Sequence, residues 1–269
     1  MTNMQGAIVI AGRGPWGAMW AAALRLLVSR LSFLPARTWS TLSNVTDCQL
    51  AISMATNGRL DPQPIRATDD PAEALAEAAL VLVCVKSHDT IGMAQAIDRC
   101  APERSPIVSL QNSAENAARI QRSLHTPLLA ISGMVPLNVV LDASGRVRAH
   151  RATDGDILVD AQIPGLADAL RVEGLSVAAC VDMKGVLWSK LLMSLNNALV
   201  ALSGLTLAEE LRNRAWRKLL ARQIDEALAA MKRPILSQHT SPACDGFAAG
   251  HPVPGGLAIW TCRQAPALG

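Results

Sequence analysis

The sequence predicts an α/β chain in which an N-terminal doubly wound parallel sheet is followed by a smaller all-helical domain. Three observations carry that prediction. Residues 7–17, AIVIAGRGPWG, pass from an apolar, β-branched run through a glycine-rich turn into the helix formers of residues 18–24. From there to about Val181, apolar runs of strand length alternate with helical stretches, the pattern of a parallel sheet covered on both faces. Beyond Asp182 helical periodicity takes over and persists to about Met231.

The turn reads Gly12-Arg13-Gly14-Pro15-Trp16-Gly17. Its first glycine permits a tight turn, its second leaves no side chain between the backbone and a pyrophosphate, and its third lets the following helix pack on the strand. The free N–H groups and positive dipole end of that helix then face the phosphates. Pro15 fits near a helix start, where its missing N–H loses no partner. A glycine pattern alone is a weak signal, and an ordinary turn is its bland reading. The strand before it and the helix after it point to a dinucleotide, and hence to a Rossmann-type domain. Gly12, Arg13, Gly14, Pro15, Trp16 and Gly17 are the cofactor-binding candidates it supplies.

Residues 31–34 form a second strand, stopped by Pro35. An acidic residue near this strand end would bind a ribose 2′-hydroxyl, but the chain offers Arg37, with Arg30 nearby and no acid until Asp47. A cation there favours the 2′-phosphate of NADP. A solvated surface arginine is the alternative. Residues 40–61 lack clear periodicity. At residues 65–75 a short strand runs into Asp70-Pro71, a helix cap with proline in the first helical position.

Residues 79–86 are a continuous apolar run typical of a strand buried on both faces, ending in Val85-Lys86-Ser87. A helix over residues 89–99, a strand over residues 107–112 and a helix capped by Ser113 and reaching Leu124 continue the alternation. After Pro127, Gly133, Pro136 and Gly145 punctuate β-prone segments, as expected of hairpin pairs closing the sheet. A short helix at residues 166–173 and a strand at residues 177–181 complete a domain spanning residues 1–182. In the helical domain, residues 183–231, Thr206 and Glu209 spell a capping box. Leu207, Leu211, Leu220, Ile224, Leu228 and Met231 continue an apolar stripe.

Composition narrows the partners. Of 269 residues, 50% are apolar and 17% charged, as in a soluble globular chain, and a net charge of +3 with no basic run gives no case for nucleic acid. No signal-peptide pattern and no uninterrupted apolar run of about 18 residues occurs, so no membrane partner and a cytoplasmic location are expected. The six cysteines form no CxxC pair and the five histidines are dispersed, which leaves no metal site to assign. His88 reads as an exposed helix-start residue, and Asp154 and Asp156 as a turn.

The second informative stretch is Trp188-Ser189-Lys190-Leu191-Leu192-Met193-Ser194-Leu195-Asn196-Asn197. On one helix, Lys190, Ser194 and Asn197 share a face and present donors that could meet a carbonyl and a carboxylate. An exposed lysine among ordinary helix residues is the plain alternative. Taken in order, the N-terminal fingerprint, Val85-Lys86-Ser87 with Leu110-Gln111-Asn112, and Trp188-Ser189-Lys190-Leu191-Leu192 with Asn197 resemble the ketopantoate reductase (2-dehydropantoate 2-reductase) family. The resemblance runs from about Ile8 to Met231.

That resemblance implies an oxidoreductase of pantothenate biosynthesis. Its Rossmann domain would bind NADPH, and its helical domain would serve a small-molecule 2-oxo acid substrate. Such helix-rich second domains often offer dimer surfaces, so a homodimer is a possible assembly, although no residue here marks one. It implies Lys190 as the catalytic general acid, which agrees with what a cation at a developing alkoxide can do. It also implies Asn112 near nicotinamide ribose and substrate, Lys86 beside the cofactor, and Ser194 and Asn197 at the substrate. Gly12, Gly14, Gly17 and Arg37 would hold the pyrophosphate and the 2′-phosphate.

The chain departs from the family in three respects. Ser194 stands where asparagine is common, and Ser113 where glycine follows LQN. From Lys232 the sequence is rich in proline, glycine and cysteine, lacks helical periodicity and has no glutamate. The family continues there with helices that carry a serine and a glutamate. Residues 232–269 therefore read as an atypical, unstructured tail, for which a change of reading frame near Met231 is one account. A catalytically inactive NADP(H)-binding protein with a degenerate substrate domain is the alternative reading, and a 3-hydroxy acid dehydrogenase, disfavoured by the VKS and LQN motifs, is a third.

Overall fold

The computed structural model describes residues 7–12, 31–34, 51–52, 66–141, 147–151, 155–171 and 175–231. These fall into two compact units, one ending at Val181 and the other beginning at Asp182. The expected first helix, residues 13–17 of the fingerprint, Arg37 and the tail at 232–269 lie outside the described residues.

The first unit is built on an eight-stranded sheet. Strands β1 (Ala7–Ala11), β2 (Leu31–Leu34), β4 (Arg66–Ala67), β5 (Ala78–Val83), β6 (Ile107–Ser109), β7 (Ala130–Met134), β10 (Ile157–Asp160) and β11 (Val177–Cys180) lie in the order β11-β10-β7-β6-β5-β1-β2-β4. All neighbours are parallel except β7 and β10. Chain order reverses between β1 and β5, the switch point at which doubly wound sheets hold ligands beyond the carboxyl ends of their strands.

The uninterrupted apolar runs of β1 and β5 follow from burial on both faces. Ile8, Ile10, Leu80 and Leu82 enter one core with Val108, Leu110 and Ile131, closed by Leu166 and Leu170 of α4 (Leu166–Leu170). Val9, Ala11, Val81 and Val83 enter the opposite core. There they meet Leu75 of α1 (Pro71–Leu75), Met93 and Ile97 of α2 (Thr90–Cys100) and Ile120 of α3 (Asn116–Arg122). Asp70 caps α1 as expected, its carboxylate accepting from the Ala72 N–H at 2.9 Å with Pro71 in the first turn.

Two local expectations are corrected. Not all of the β-prone segments after Pro127 close the main sheet. Strand β10 does, but β8 (Leu137–Leu141) and β9 (Val147–Arg151) pair as a hairpin and join β3 (Ala51–Ile52) in a separate three-stranded sheet. Pro136 lies between β7 and β8 and lacks the N–H needed to carry the ladder on. Nor does Ser113 cap a helix. Helix α3 begins at Asn116, and the Ser113 hydroxyl accepts from the Glu115 N–H at 3.2 Å, tightening the turn that precedes it.

The second unit comprises α5 (Met183–Ser194), α6 (Asn196–Ser203), α7 (Leu207–Arg212) and α8 (Arg214–Met231). The Asp182 carboxylate caps α5 through the Gly185 N–H at 3.0 Å. Together residues 183–203 are long and apolar enough, by length and composition alone, to cross a membrane, with mean hydropathy 1.3. Gly204, at φ +68°, ends α6 with its N–H on the Val200 carbonyl, the left-handed cap that favours glycine. The predicted Thr206–Glu209 capping box is formed at the start of α7. The apolar stripe is interrupted at Asn213, and its first member, Leu207, is exposed.

A residue that sequence patterning passes over joins these helices. Glu210 is buried and accepts from the Ser203 hydroxyl at 2.5 Å, while Ser203 Oγ accepts from the Leu205 N–H at 3.1 Å. Ser203→Ala leaves a buried carboxylate short of a donor. It should lower unfolding free energy by ~1.5–3 kcal/mol, measurable as a lower urea midpoint with unchanged slope.

Candidate active site

In the first unit the carboxyl ends of β1, β5 and β6 converge. Gly12 follows β1 directly, at φ +134°. A Cβ built there would lie 2.8 Å from both the Cys84 carbonyl carbon and the Val85 nitrogen. The first fingerprint glycine is thus required by the neighbouring strand's backbone as well as by its own positive φ. The Cys84 N–H donates to the Ala11 carbonyl at 2.8 Å, and the Leu110 N–H to Val83 at 3.0 Å, which ties all three strand ends together.

Beyond these ends lies a cleft of about 430 Å³ lined by residues 84–88 and 110–112. Lys86 and Asn112, placed apart in the sequence, both line it and both are exposed. Lys86 precedes a 3-10 turn over Ser87–Asp89 and accepts the Asp89 N–H on its carbonyl at 2.9 Å. His88 is exposed, with Nε2 3.3 Å from the Asp89 carboxylate. Burial pushes the Cys84 thiol up to about 12, so it remains protonated and is no nucleophile at neutral pH.

Gln111, quoted in the LQN motif but given no role by sequence, is buried at the β6 end. Its Nε2 donates to the Val85 carbonyl and to Thr90 Oγ1, both at 2.8 Å, and its Oε1 accepts from the Ser109 hydroxyl at 3.0 Å. Asn116 is fully buried and donates from Nδ2 to Ser87 Oγ at 3.0 Å. The groups that accept from their amide nitrogens lie 21 to 29 residues away in sequence, beyond the reach of any local pattern.

In the helical unit, Lys190 is half-buried near the end of α5, and loss of solvation lowers its ammonium to about 8. The Ser194 hydroxyl donates to the Lys190 carbonyl at 2.9 Å, so its proton is engaged by its own helix and only its lone pairs remain to accept. Asn197 is exposed on α6. The single helical face expected for Lys190, Ser194 and Asn197 is broken at Leu195, where the Leu195 and Ala198 N–H groups bond three residues back and tighten the turn. Gly12, Lys86 and Asn112 are therefore brought together in one unit, and Lys190 and Ser194 in the other. Arg13, Gly14, Pro15, Trp16, Gly17 and Arg37 lie outside the described residues. No group of three or more potential metal ligands occurs among the described residues.

A parallel sheet with this switch point, a positive-φ glycine directly after its first strand and a following helical unit define a Rossmann-type fold with a helical domain. The chain belongs to the ketopantoate reductase family, PanE/ApbA, whose model matches residues 8–161. A curated 2-dehydropantoate 2-reductase from Halobacterium salinarum is 26% identical over 205 residues, 73% of this chain. That alignment spans 65% of the relative's own length. The solved 2-dehydropantoate 2-reductase from Geobacter metallireducens superposes with a TM-score of 0.71 at 21% identity, covering 92% of this chain and 85% of that one. D-mandelate dehydrogenase, solved with NADH and anilino(oxo)acetate, superposes with a TM-score of 0.68 at 16% identity over 90% of this chain and 78% of its own. At such identities the two structures share the fold.

Proposed function

We propose that the chain reduces a 2-oxo acid with NADPH, 2-dehydropantoate to pantoate being the foremost reaction, and that Lys190 is the general acid. The observation that carries this reading is the half-buried lysine whose ammonium is lowered to about 8, in a chain of the ketopantoate reductase family. An amine so placed is mostly charged at neutral pH, yet close enough to its pKa to release a proton.

The nucleotide domain would occupy residues 1–182 and the substrate domain residues 183–231. The cleft suits a dinucleotide, since Gly12 holds the β1 turn against the Cys84–Val85 backbone and Lys86 and Asn112 supply a cation and an amide at its edge. Gly12, Gly14 and Gly17, with Arg13, Pro15 and Trp16 between them, would bind the pyrophosphate, and Arg37 the 2′-phosphate. NADPH, when bound, supplies the hydride. Lys190 stabilises the negative charge growing on the C2 oxygen and delivers the proton. Asn112, Asn197 and the lone pairs of Ser194 would orient the substrate. A carboxylate substrate suits a +3 chain without nucleic acid among its partners.

Ser194 favours a second reading. With its proton committed to the Lys190 carbonyl, it cannot donate to a substrate without breaking that bond, as expected of a nucleotide-binding protein that has lost turnover. The two readings separate in steady-state rates with NADPH over a set of 2-oxo acids that includes 2-dehydropantoate and the oxo acid corresponding to mandelate. A reductase turns over at least one member. Tight nucleotide binding with no turnover on any of them supports the inactive binder.

Cofactor choice has its own test. Arg37→Ala should weaken NADPH binding by roughly 10- to 100-fold, the worth of a charge-assisted hydrogen bond, and leave NADH almost unchanged. Equal losses for the two nucleotides would remove Arg37 from the 2′-phosphate site.

A further inference from the structure

Between β5 and α2, the loop that presents Lys86 is gripped on both sides of that residue. The Val85 carbonyl and Thr90 Oγ1 each accept from Gln111 Nε2, and Ser87 Oγ accepts from Asn116 Nδ2. Lys86 lies between the two held positions with its own side chain exposed. Both amide hydrogens of Gln111 are used and its oxygen is occupied by Ser109. Although Gln111 lines the cleft, it has no free donor for a ligand, whereas Asn112, the next residue, is exposed. The alternation at the end of β6 thus turns one amide inward as a clamp and the next outward.

Asn116 adds a second indication. It is wholly buried, and its Oδ1 has no hydrogen-bond partner. An unpaired buried acceptor opposes stability, and an apolar residue of similar shape would avoid that penalty. A residue that costs stability while holding a cleft loop is one whose advantage lies in that loop.

We infer that Gln111 and Asn116 are positioning residues: two buried amides that fix the 85–90 loop before nucleotide arrives, so that Lys86 meets the cofactor already placed. The inference rests on the cofactor-site reading above. It extends that reading to two residues that touch no ligand and act through Lys86. Order imposed in the free protein removes an ordering cost that binding would otherwise meet.

The test is a double-mutant cycle on the full chain, with NADPH dissociation constants from calorimetric titration. Asn116→Leu keeps shape and removes the unpaired acceptor, so it should leave thermal stability equal or higher while raising Kd about tenfold, the scale of one ordering cost. Gln111→Met should raise Kd at least as much. In a Lys86→Ala background the same substitutions should change Kd by less than about twofold, since the side chain they place is gone. In the nucleotide-free protein, the Asp89 and Thr90 amides, which bond to Lys86 and Ser87 carbonyls, should exchange faster in both variants.

Unchanged Kd in Asn116→Leu and Gln111→Met would overturn the inference. So would equal rises with and without Lys86, because the amides would then act through the fold at large. If Lys86→Ala alone leaves Kd unchanged, the assignment of Lys86 to the cofactor fails and the inference falls with it. A Lys86 effect combined with an additive cycle overturns the positioning role alone.

Discussion

Replacing Lys190 by alanine lowers turnover by ~10²–10⁴, the usual contribution of a positioned general acid, and leaves NADPH affinity close to its starting value. The separation follows from where the lysine sits. Lys190 is on α5 of the helical unit, whereas the residues lining the proposed nucleotide cleft follow β5 and β6 in the first unit. Lys190→Met, which keeps most of the side-chain bulk, should be equally slow and remain folded, so that loss of packing is separated from loss of the proton. A parallel fall in turnover and nucleotide affinity would point to damage to the fold.

The same residue sets a pH dependence whose sign is fixed by its environment. Loss of solvation disfavours the ammonium and lowers it from 10.5 to about 8. Reduction needs the protonated amine, so kcat/KM should hold steady below pH about 8 and fall tenfold per unit above it. An unperturbed lysine would sustain the plateau to beyond pH 10. The descending limb should vanish in Lys190→Met.

Gly12→Ala is expected to be the most damaging substitution to the fold. The added Cβ meets two backbone atoms of the Cys84–Val85 peptide at 2.8 Å, and neither can rotate away as a side chain would. The positive φ adds strain of about 1–3 kcal/mol by itself. With the steric overlap, a loss of more than ~4 kcal/mol is expected, a large share of the ~5–15 kcal/mol that holds a domain together. Gly92→Ala is the matched control. It lies on α2 with nothing within 4 Å of its added Cβ, and should raise stability by up to about 1 kcal/mol. Native-like stability in Gly12→Ala would contradict the approach of β1 to β5.

Much of this architecture is legible in the chain because the forces behind it are local. A strand buried on both faces must be apolar throughout, and the 78–83 run is. Asp70-Pro71 and Thr206 with Glu209 announce helix starts through their own hydrogen-bonding chemistry, and both do so in the structure. The separate β8–β9 sheet is not legible, since Pro136 marks a break without saying which strands lie on either side. Gln111 and Asn116 read as ordinary polar residues because the groups their amide nitrogens hold are distant in sequence. Lys190 is marked as a candidate by the family resemblance of its motif, but its residue type and spacing alone fit a surface lysine equally well, and only packing reveals that its charge is partly desolvated. Ser194 looks like a free donor until its bond to the preceding turn is seen.

The central claim is that this chain delivers a hydride to the C2 carbonyl of a 2-oxo acid. The most direct measurement supplies the purified protein with NADPH carrying deuterium at the transferable position, together with 2-dehydropantoate, and follows the product by mass spectrometry. The account predicts pantoate bearing one deuterium at C2, formed in proportion to nucleotide consumed, and almost none with Lys190→Ala. Saturable nucleotide binding without labelled product from this or any other 2-oxo acid would contradict it.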